Sequence, residues 1–285
     1  MTYITELLKA VIFGIIQGIT EWLPISSTGH LILANQFLML KQSEAFINLF
    51  LVVIQFGSIL AVVTLYFHKL NPFSPRKSKA EKNDTWRMWV RVIAAVIPTA
   101  IIGLIFDDII EKYLSTPLVV ALALIVYGIL FIIVERQRRE VKVTSIAEMS
   151  FKTAVIIGFC QALAIIPGTS RSGATILGAV LIGTSREVAA EFSFFLAIPV
   201  MFGASLLRCI KYFIEYGFGF ENGGGWILLV GTAVSYIVSV FAIRFLMGYI
   251  RKHDFTAFGY YRIILGVLII LYFGFTGGLL TGMQV

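Results

Sequence analysis

The stretch Gly14-Ile15-Ile16-Gln17-Gly18-Ile19-Thr20-Glu21-Trp22-Leu23-Pro24-Ile25-Ser26-Ser27-Thr28-Gly29-His30 decides how this 285-residue chain folds. It lies in the middle of an apolar region, residues 6–40, and breaks it with the carboxylate of Glu21, then Pro24, the hydroxyls of Ser26, Ser27 and Thr28, Gly29 and His30. A second region, 153–184, is broken the same way by Pro167-Gly168-Thr169-Ser170-Arg171-Ser172-Gly173. Irregular backbone is not tolerated facing lipid, but it is tolerated where it is buried in protein or lines a polar cavity. Both regions are therefore expected to be re-entrant helix–loop–helix hairpins with their polar knots inside a helical bundle.

The rest of the chain supports a membrane setting. Apolar residues make up 58% and charged residues only 14%, and the mean hydropathy is +0.90. Six further stretches, 46–67, 88–106, 117–134, 187–208, 226–248 and 258–276, are each near the ~20 residues needed to cross a bilayer. The expected fold is all-α: a polytopic membrane bundle of about six transmembrane helices plus two re-entrant hairpins, forming one domain over 1–285. The net charge of +7 does not point to nucleic acid, because the cations sit in short connections between apolar spans. Residues 68–91, 135–152 (including Arg138) and 249–254 carry most of them and are expected on the cytoplasmic side. The 107–116 stretch, with Asp107, Asp108 and Glu111, is expected to be an outer loop. Cys160 and Cys209 have no metal or redox spacing and read as small apolar residues.

The two broken regions are copies of one pattern. A shift of 144 residues places Gly14 on Gly158, Gln17 on Gln161, Ser26 on Ser170, Gly29 on Gly173, Ile32 on Ile176 and Leu33 on Leu177 without a gap. The Gly128 and Gly266 regions echo each other at a slightly different offset. Repeat 1 then covers about 1–140 and repeat 2 about 150–285, each a hairpin plus three crossings. Because three is odd, the halves must insert upside down relative to one another, an inverted-topology repeat.

The knots carry chemistry suited to phosphate. Gln17 and Glu21 are four residues apart and share a helix face. A carboxylate inside a membrane segment is expensive and marks a functional site. Glycine-rich turns and the starts of helices gather backbone N–H groups around anions, and an arginine can fork onto phosphate oxygens. A carboxylate, an imidazole, hydroxyls and a guanidinium together fit phosphoryl transfer, where positioning and charge neutralisation dominate. No Gly-x-Ser-x-Gly elbow, Walker motif or His-Glu-x-x-His occurs.

The pair of motifs, Gln17-x-x-x-Glu21-x-x-Pro24-x-Ser26-Ser27-Thr28-Gly29-His30 and Pro167-Gly168-Thr169-Ser170-Arg171-Ser172-Gly173-Ala174-Thr175, resembles the undecaprenyl-diphosphatase family, the bacitracin-resistance proteins of the bacterial plasma membrane. That family accepts Glu or Gln at the leading position, and Gln17 leaves Glu21 as the one acid of the first motif. The resemblance implies hydrolysis of undecaprenyl pyrophosphate to undecaprenyl phosphate and phosphate. The product is a lipid carrier for peptidoglycan precursors. It also implies a site facing the periplasm or cell exterior, and a divalent cation, Mg²⁺ or Ca²⁺. Phosphatidic-acid-type phosphatases are excluded: the His and Asp that follow their arginine are replaced here by Leu177 and Leu181.

On this expectation Arg171, Ser170 and Thr175 clamp the pyrophosphate, with Ser26, Thr28 and Ser172 adding hydroxyls. Ser27 is the lead nucleophile, with His30 or Glu21 taking its proton; the alternative is direct attack by water with Ser27 only a phosphate ligand. Glu21 is alternatively a metal ligand, and Gln17 and Gln161 play supporting parts. The prenyl tail needs only an apolar groove among membrane lipids, and the assembly could be a homodimer. A polyprenyl-phosphate transporter is the rival class, since inverted repeats with broken helices are transporter architecture.

Overall fold

The computed structural model describes residues 2–137, 139–217, 220 and 223–281. Arg138 and the side chains of Asp107, Asp108 and Glu111 lie outside the described residues. In chain order the helices are α1 (Thr2–Thr20), α2 (Ser27–Leu38), α3 (Glu44–Leu65), α4 (Phe67–Leu70), α5 (Lys79–Leu114), α6 (Pro117–Arg136), α7 (Phe151–Ala162), α8 (Arg171–Leu181), α9 (Arg186–Tyr216), α10 (Gly224–Ile250) and α11 (Thr256–Thr276). The chain is an all-α polytopic membrane bundle. Among the described residues seven helices are long and apolar enough to cross a bilayer, and α2, α4, α7 and α8 are shorter.

Seven rather than about six follows from α1, which extends over 19 residues. Gln17 is a good helix former and Glu21 lies just beyond the last turn, so nothing stops the helix before Thr20. The knots themselves stand where the sequence places them, between α1 and α2 and between α7 and α8. Helix α5 is longer than the expected 88–106 at both ends. It begins at a capping box: Ser78 Oγ accepts the Glu81 N–H, and the Glu81 carboxylate accepts the Ser78 N–H at 2.7 Å. Its far end runs to Leu114, so residues 107–114 are helical and not loop; Pro117 then opens α6 at a position where its missing N–H costs nothing.

Close helix packing without water depends on small residues. A Cβ on Gly14 of α1 would come within 2.6 Å of the Gly231 carbonyl oxygen of α10. At the matched position in the other half, Gly158 of α7 lies against the Ala95 carbonyl of α5. Between α6 and α11 the correspondence repeats. A Cβ on Gly128 would meet the Gly259 carbonyl at 2.7 Å, and one on Gly266 would meet the Ala121 carbonyl at 2.7 Å. Thus α1 packs on α10 as α7 packs on α5, while α3 pairs with α9 and α6 with α11.

The largest buried cluster surrounds the knots. Trp22, Phe131, Phe192, Phe194, Phe195 and Phe255 are almost wholly buried there. The phenylalanines of 192–195 are packing residues. Trp22 meets Phe194 edge-to-face at 5.3 Å, which ties the first knot to α9.

Candidate active site

Both knots end in the same strained turn. Ser26 and Ser170 are the only non-glycine residues with positive φ among those described, at 73° and 71°. L-residues seldom occupy this region, and such strain gathers at functional sites. Each serine caps the helix that follows: Ser26 Oγ accepts the Gly29 N–H, and Ser170 Oγ accepts the Gly173 N–H at 3.2 Å. Gly168, at φ 91°, allows the second knot to pass Val120; a Cβ there would come 2.7 Å from the Val120 Cα.

The turns bring Glu21, Ser27 and Arg171 together. Glu21 is 5% exposed, yet both of its oxygens are engaged. Oε1 accepts from Arg171 Nη2 at 3.2 Å and from Nε at 3.4 Å. Oε2 accepts from Gln17 Nε2 at 3.0 Å and from Ser27 Oγ at 3.2 Å. The third arm of Arg171, Nη1, donates to the Ser193 carbonyl at 2.9 Å, and its guanidinium carbon lies 5.4 Å from the centre of the Trp22 ring. The i, i+4 relation of Gln17 and Glu21 therefore produces the contact expected of it.

The other expected residues divide into accessible and buried. Thr28, Ser170 and His30 stand half-buried beside Ser27 and Arg171 in sequence. Ser26 is 1% exposed and its Oγ is spent on its cap. Ser172 Oγ donates across to the Glu21 and Leu23 carbonyls at 3.1 and 3.4 Å, so it joins the knots. Thr175 is fully buried; its hydroxyl lies 2.6 Å from Ser193 Oγ and bonds the Arg171 carbonyl. It braces the arginine's helix from beneath. Gln161 turns away from the carboxylate that Gln17 serves and donates to Thr99 Oγ1 at 3.1 Å.

His30 faces neither Ser27 nor Glu21. Its Nδ1 is 2.7 Å from the Ser26 carbonyl and its Nε2 is 2.6 Å from the Tyr261 hydroxyl. A carbonyl only accepts, so Nδ1 donates and Nε2 accepts from the tyrosine. The carboxylate in contact with Ser27 is Glu21, whose Oε2 accepts the hydrogen bond of the Ser27 hydroxyl.

One residue escapes the sequence reading. Arg262 of α11 is wholly buried and donates to the Pro24, Gly168 and Thr169 carbonyls at 3.1, 2.9 and 2.8 Å. Its signal was a lone cation inside the apolar run 258–276, which reads as an ordinary span. With it the site holds two guanidinium groups against one carboxylate, a surplus of positive charge. Two buried donors at the site, Trp22 Nε1 and Arg262 Nε, have no partner among the described residues.

A divalent cation finds one protein carboxylate here. Among the described residues no group of three His, Cys, Asp or Glu stands together. Glu21 already receives four donors, so the protein forms no cage of its own. The donor chemistry suits a hard ion only in the manner of Mg²⁺ sites that combine one carboxylate with substrate phosphate oxygens.

The family described as "Bacitracin resistance protein BacA" matches residues 10–268. A Streptococcus thermophilus protein named undecaprenyl-diphosphatase is 58% identical over 272 residues, covering 95% of this chain and 94% of its own. An Enterococcus faecalis protein of the same name is 56% identical over 273 residues, covering 95% and 99%. A Clostridioides difficile protein named undecaprenyl-diphosphatase 1 is 55% identical over 269 residues, covering 94% and 96%. With its two knots meeting at Glu21 and Arg171 and its similarity spanning nearly its whole length, the chain belongs to the bacitracin resistance protein family.

Proposed function

We propose that the protein is an undecaprenyl-diphosphatase, hydrolysing undecaprenyl pyrophosphate to undecaprenyl phosphate and inorganic phosphate. It thereby recycles the lipid carrier of peptidoglycan synthesis and confers bacitracin resistance. The observation that carries this reading is the contact of Ser27 Oγ and Arg171 with one buried carboxylate, Glu21, drawn from loops 150 residues apart. A hydroxyl, its proton acceptor and an anion-binding fork are the parts that phosphoryl transfer requires.

The reaction follows from the contacts. The pyrophosphate enters beside Arg171, whose guanidinium exchanges Glu21 for phosphate oxygens and leaves the carboxylate free to act as a base. Ser27 Oγ attacks the terminal phosphorus and gives its proton to Glu21. The bond to the bridging oxygen breaks, and undecaprenyl phosphate departs with that oxygen. Glu21 passes that proton to the departing undecaprenyl phosphate; water then attacks the serine phosphate and gives a proton to Glu21, the Oγ–P bond breaks, and the proton returns to Ser27 Oγ as inorganic phosphate is released. The start of α2 at Ser27 and of α8 at Arg171 add the positive ends of two helices to the same place. Arg262 and Arg171 together outweigh Glu21, which favours binding of a polyanion in surroundings of low dielectric.

Glu21 is also the residue that would hold Mg²⁺ or Ca²⁺, together with pyrophosphate oxygens. Such an ion, when bound, neutralises charge on those oxygens. The cation-rich connections support a bacterial plasma-membrane setting with those loops in the cytoplasm. We place the two hairpins as inverted repeats entering from opposite faces, with the site open to the exterior and the prenyl tail among the helices. The close approach of Gly14 to α10 and of Gly158 to α5, and of Gly128 and Gly266 at the α6–α11 crossing, favours this arrangement.

Purified protein in detergent micelles, where there is no membrane to cross, separates an enzyme from a transporter that merely holds lipid phosphate. The expected result is release of inorganic phosphate from undecaprenyl pyrophosphate, reduced by EDTA and restored by Mg²⁺ or Ca²⁺. Binding without release would favour the transporter, and EDTA-insensitive turnover would remove the metal.

A further inference from the structure

Helix α11 presents two consecutive residues, Tyr261 and Arg262, to the knots, and the reaction above gives neither a step. Arg262 joins the Pro24 carbonyl of the first knot to the Gly168 and Thr169 carbonyls of the second. Pro24 and Gly168 are matched positions at the shift of 144 residues, so one guanidinium ties equivalent points of the two repeats. No carboxylate among the described residues pairs with it, and burying a cation in that way is costly.

Packing alone does not call for an arginine at this place. A Cβ on Gly173 would meet Arg262 Nη1 at 3.1 Å, whereas a Cβ on its counterpart Gly29 would meet Leu124 Cδ1 at 3.0 Å. Leu124 of α6 therefore fills, in the first half, the gap that Arg262 fills in the second. The charge is an addition to the fold.

Tyr261 acts on the neighbouring stretch of backbone. Its ring lies parallel to His30, 5.6 Å between centres and 8° between planes, and its hydroxyl occupies His30 Nε2. That leaves His30 Nδ1–H to the Ser26 carbonyl, next to the strained φ of 73°. The dipeptide thus controls carbonyls 24, 26, 168 and 169, on the approach to Ser27 in one knot and to Arg171 in the other.

We infer that Tyr261 and Arg262 are positioning residues for the diphosphatase reaction, a clamp that holds both knots in register while touching no substrate. Arg262 works directly on backbone carbonyls and Tyr261 works through His30. The inference rests on the proposed function, and misplacement of reacting groups by about 1 Å is enough for a 100-fold loss of rate.

The test measures kcat and KM for undecaprenyl pyrophosphate on the full chain in detergent, with size-exclusion and thermal unfolding checks. The variants are Tyr261→Phe, His30→Ala, the double variant, Arg262→Lys and Arg262→Met. Tyr261→Phe should lower kcat about tenfold with KM changed by less than about twofold. The double variant should be no slower than His30→Ala alone. Arg262→Lys keeps the charge but cannot span three carbonyls, so kcat should fall by about 100-fold, close to Arg262→Met. Wild-type kcat in Tyr261→Phe, additive effects with His30→Ala, losses confined to KM, or full rescue by Arg262→Lys would each overturn the clamp. If the arginine variants fail to fold, the Tyr261–His30 cycle decides alone. An inactive wild type would instead remove the diphosphatase reading itself, and the clamp with it.

Discussion

The two knots share a backbone and divide the chemistry. Ser26 and Ser170 adopt the same positive φ, cap the same kind of helix and are followed by the same glycine. Yet Glu21 corresponds to Ile165, Ser27 to Arg171 and His30 to Ala174 at the shift of 144 residues. One loop therefore supplies the carboxylate and hydroxyl, and the other supplies the guanidinium. Gln17 and Gln161 make the same point: Gln17 serves Glu21, whereas Gln161, with no acid to serve, bonds Thr99. The two turns share one backbone conformation, while the side chains around them supply complementary groups at a single place.

Breaking either half should cost most. Ser27→Ala and Arg171→Ala are each expected to reduce phosphate release by about 100-fold or more in protein that still inserts and elutes as folded. Glu21→Gln removes both the proton acceptor and the partner of Arg171, and its loss should not add to that of Arg171→Ala in the double variant, since the pair acts as a unit. Full additivity would mean that the two knots work independently.

Damage to the shared scaffold should act on stability before activity. Gly158→Val would press a branched side chain into the α5 backbone at Ala95, and Gly14→Val would do the same against α10. Each overpacked crossing should destabilise the fold by roughly 1–3 kcal/mol, read as a lower melting temperature in detergent. Equal melting temperatures for wild type and both variants would deny that these matched contacts bear the packing.

The smallest expected difference is the sharpest test of divergence. Gln17→Ala removes a hydrogen bond to a buried carboxylate and should lower kcat by about tenfold. Gln161→Ala should leave kcat within about twofold, because its partner Thr99 lies outside the Glu21–Arg171 group. The reverse order would exchange the roles of the two repeats.

Much of this was legible in the sequence, because polar residues are conspicuous against an apolar background. Glu21 and Arg171 stood out as charges between apolar runs, Ser27 was singled out among the first knot's hydroxyls only with the family resemblance, and the gapless shift between the knots foretold their common turn. Other features were hidden for physical reasons. Thr175 and Ser172 look like phosphate ligands by composition, but whether a hydroxyl faces a cavity or a neighbouring carbonyl depends on tertiary packing. Arg262 was hidden by its surroundings: one cation inside a long apolar helix leaves the hydropathy signal intact. The extent of α5 depended on the local bonds of Ser78 with Glu81, which composition windows average away.

The claim that both knots grip one diphosphate is tested most directly by phosphate release from undecaprenyl pyrophosphate. Wild type and Arg171→Ala would be compared, each purified and folded in detergent micelles. The structure predicts turnover by the wild type and a loss of about 100-fold or more when the second knot's guanidinium is removed. Comparable turnover by the two proteins would contradict it.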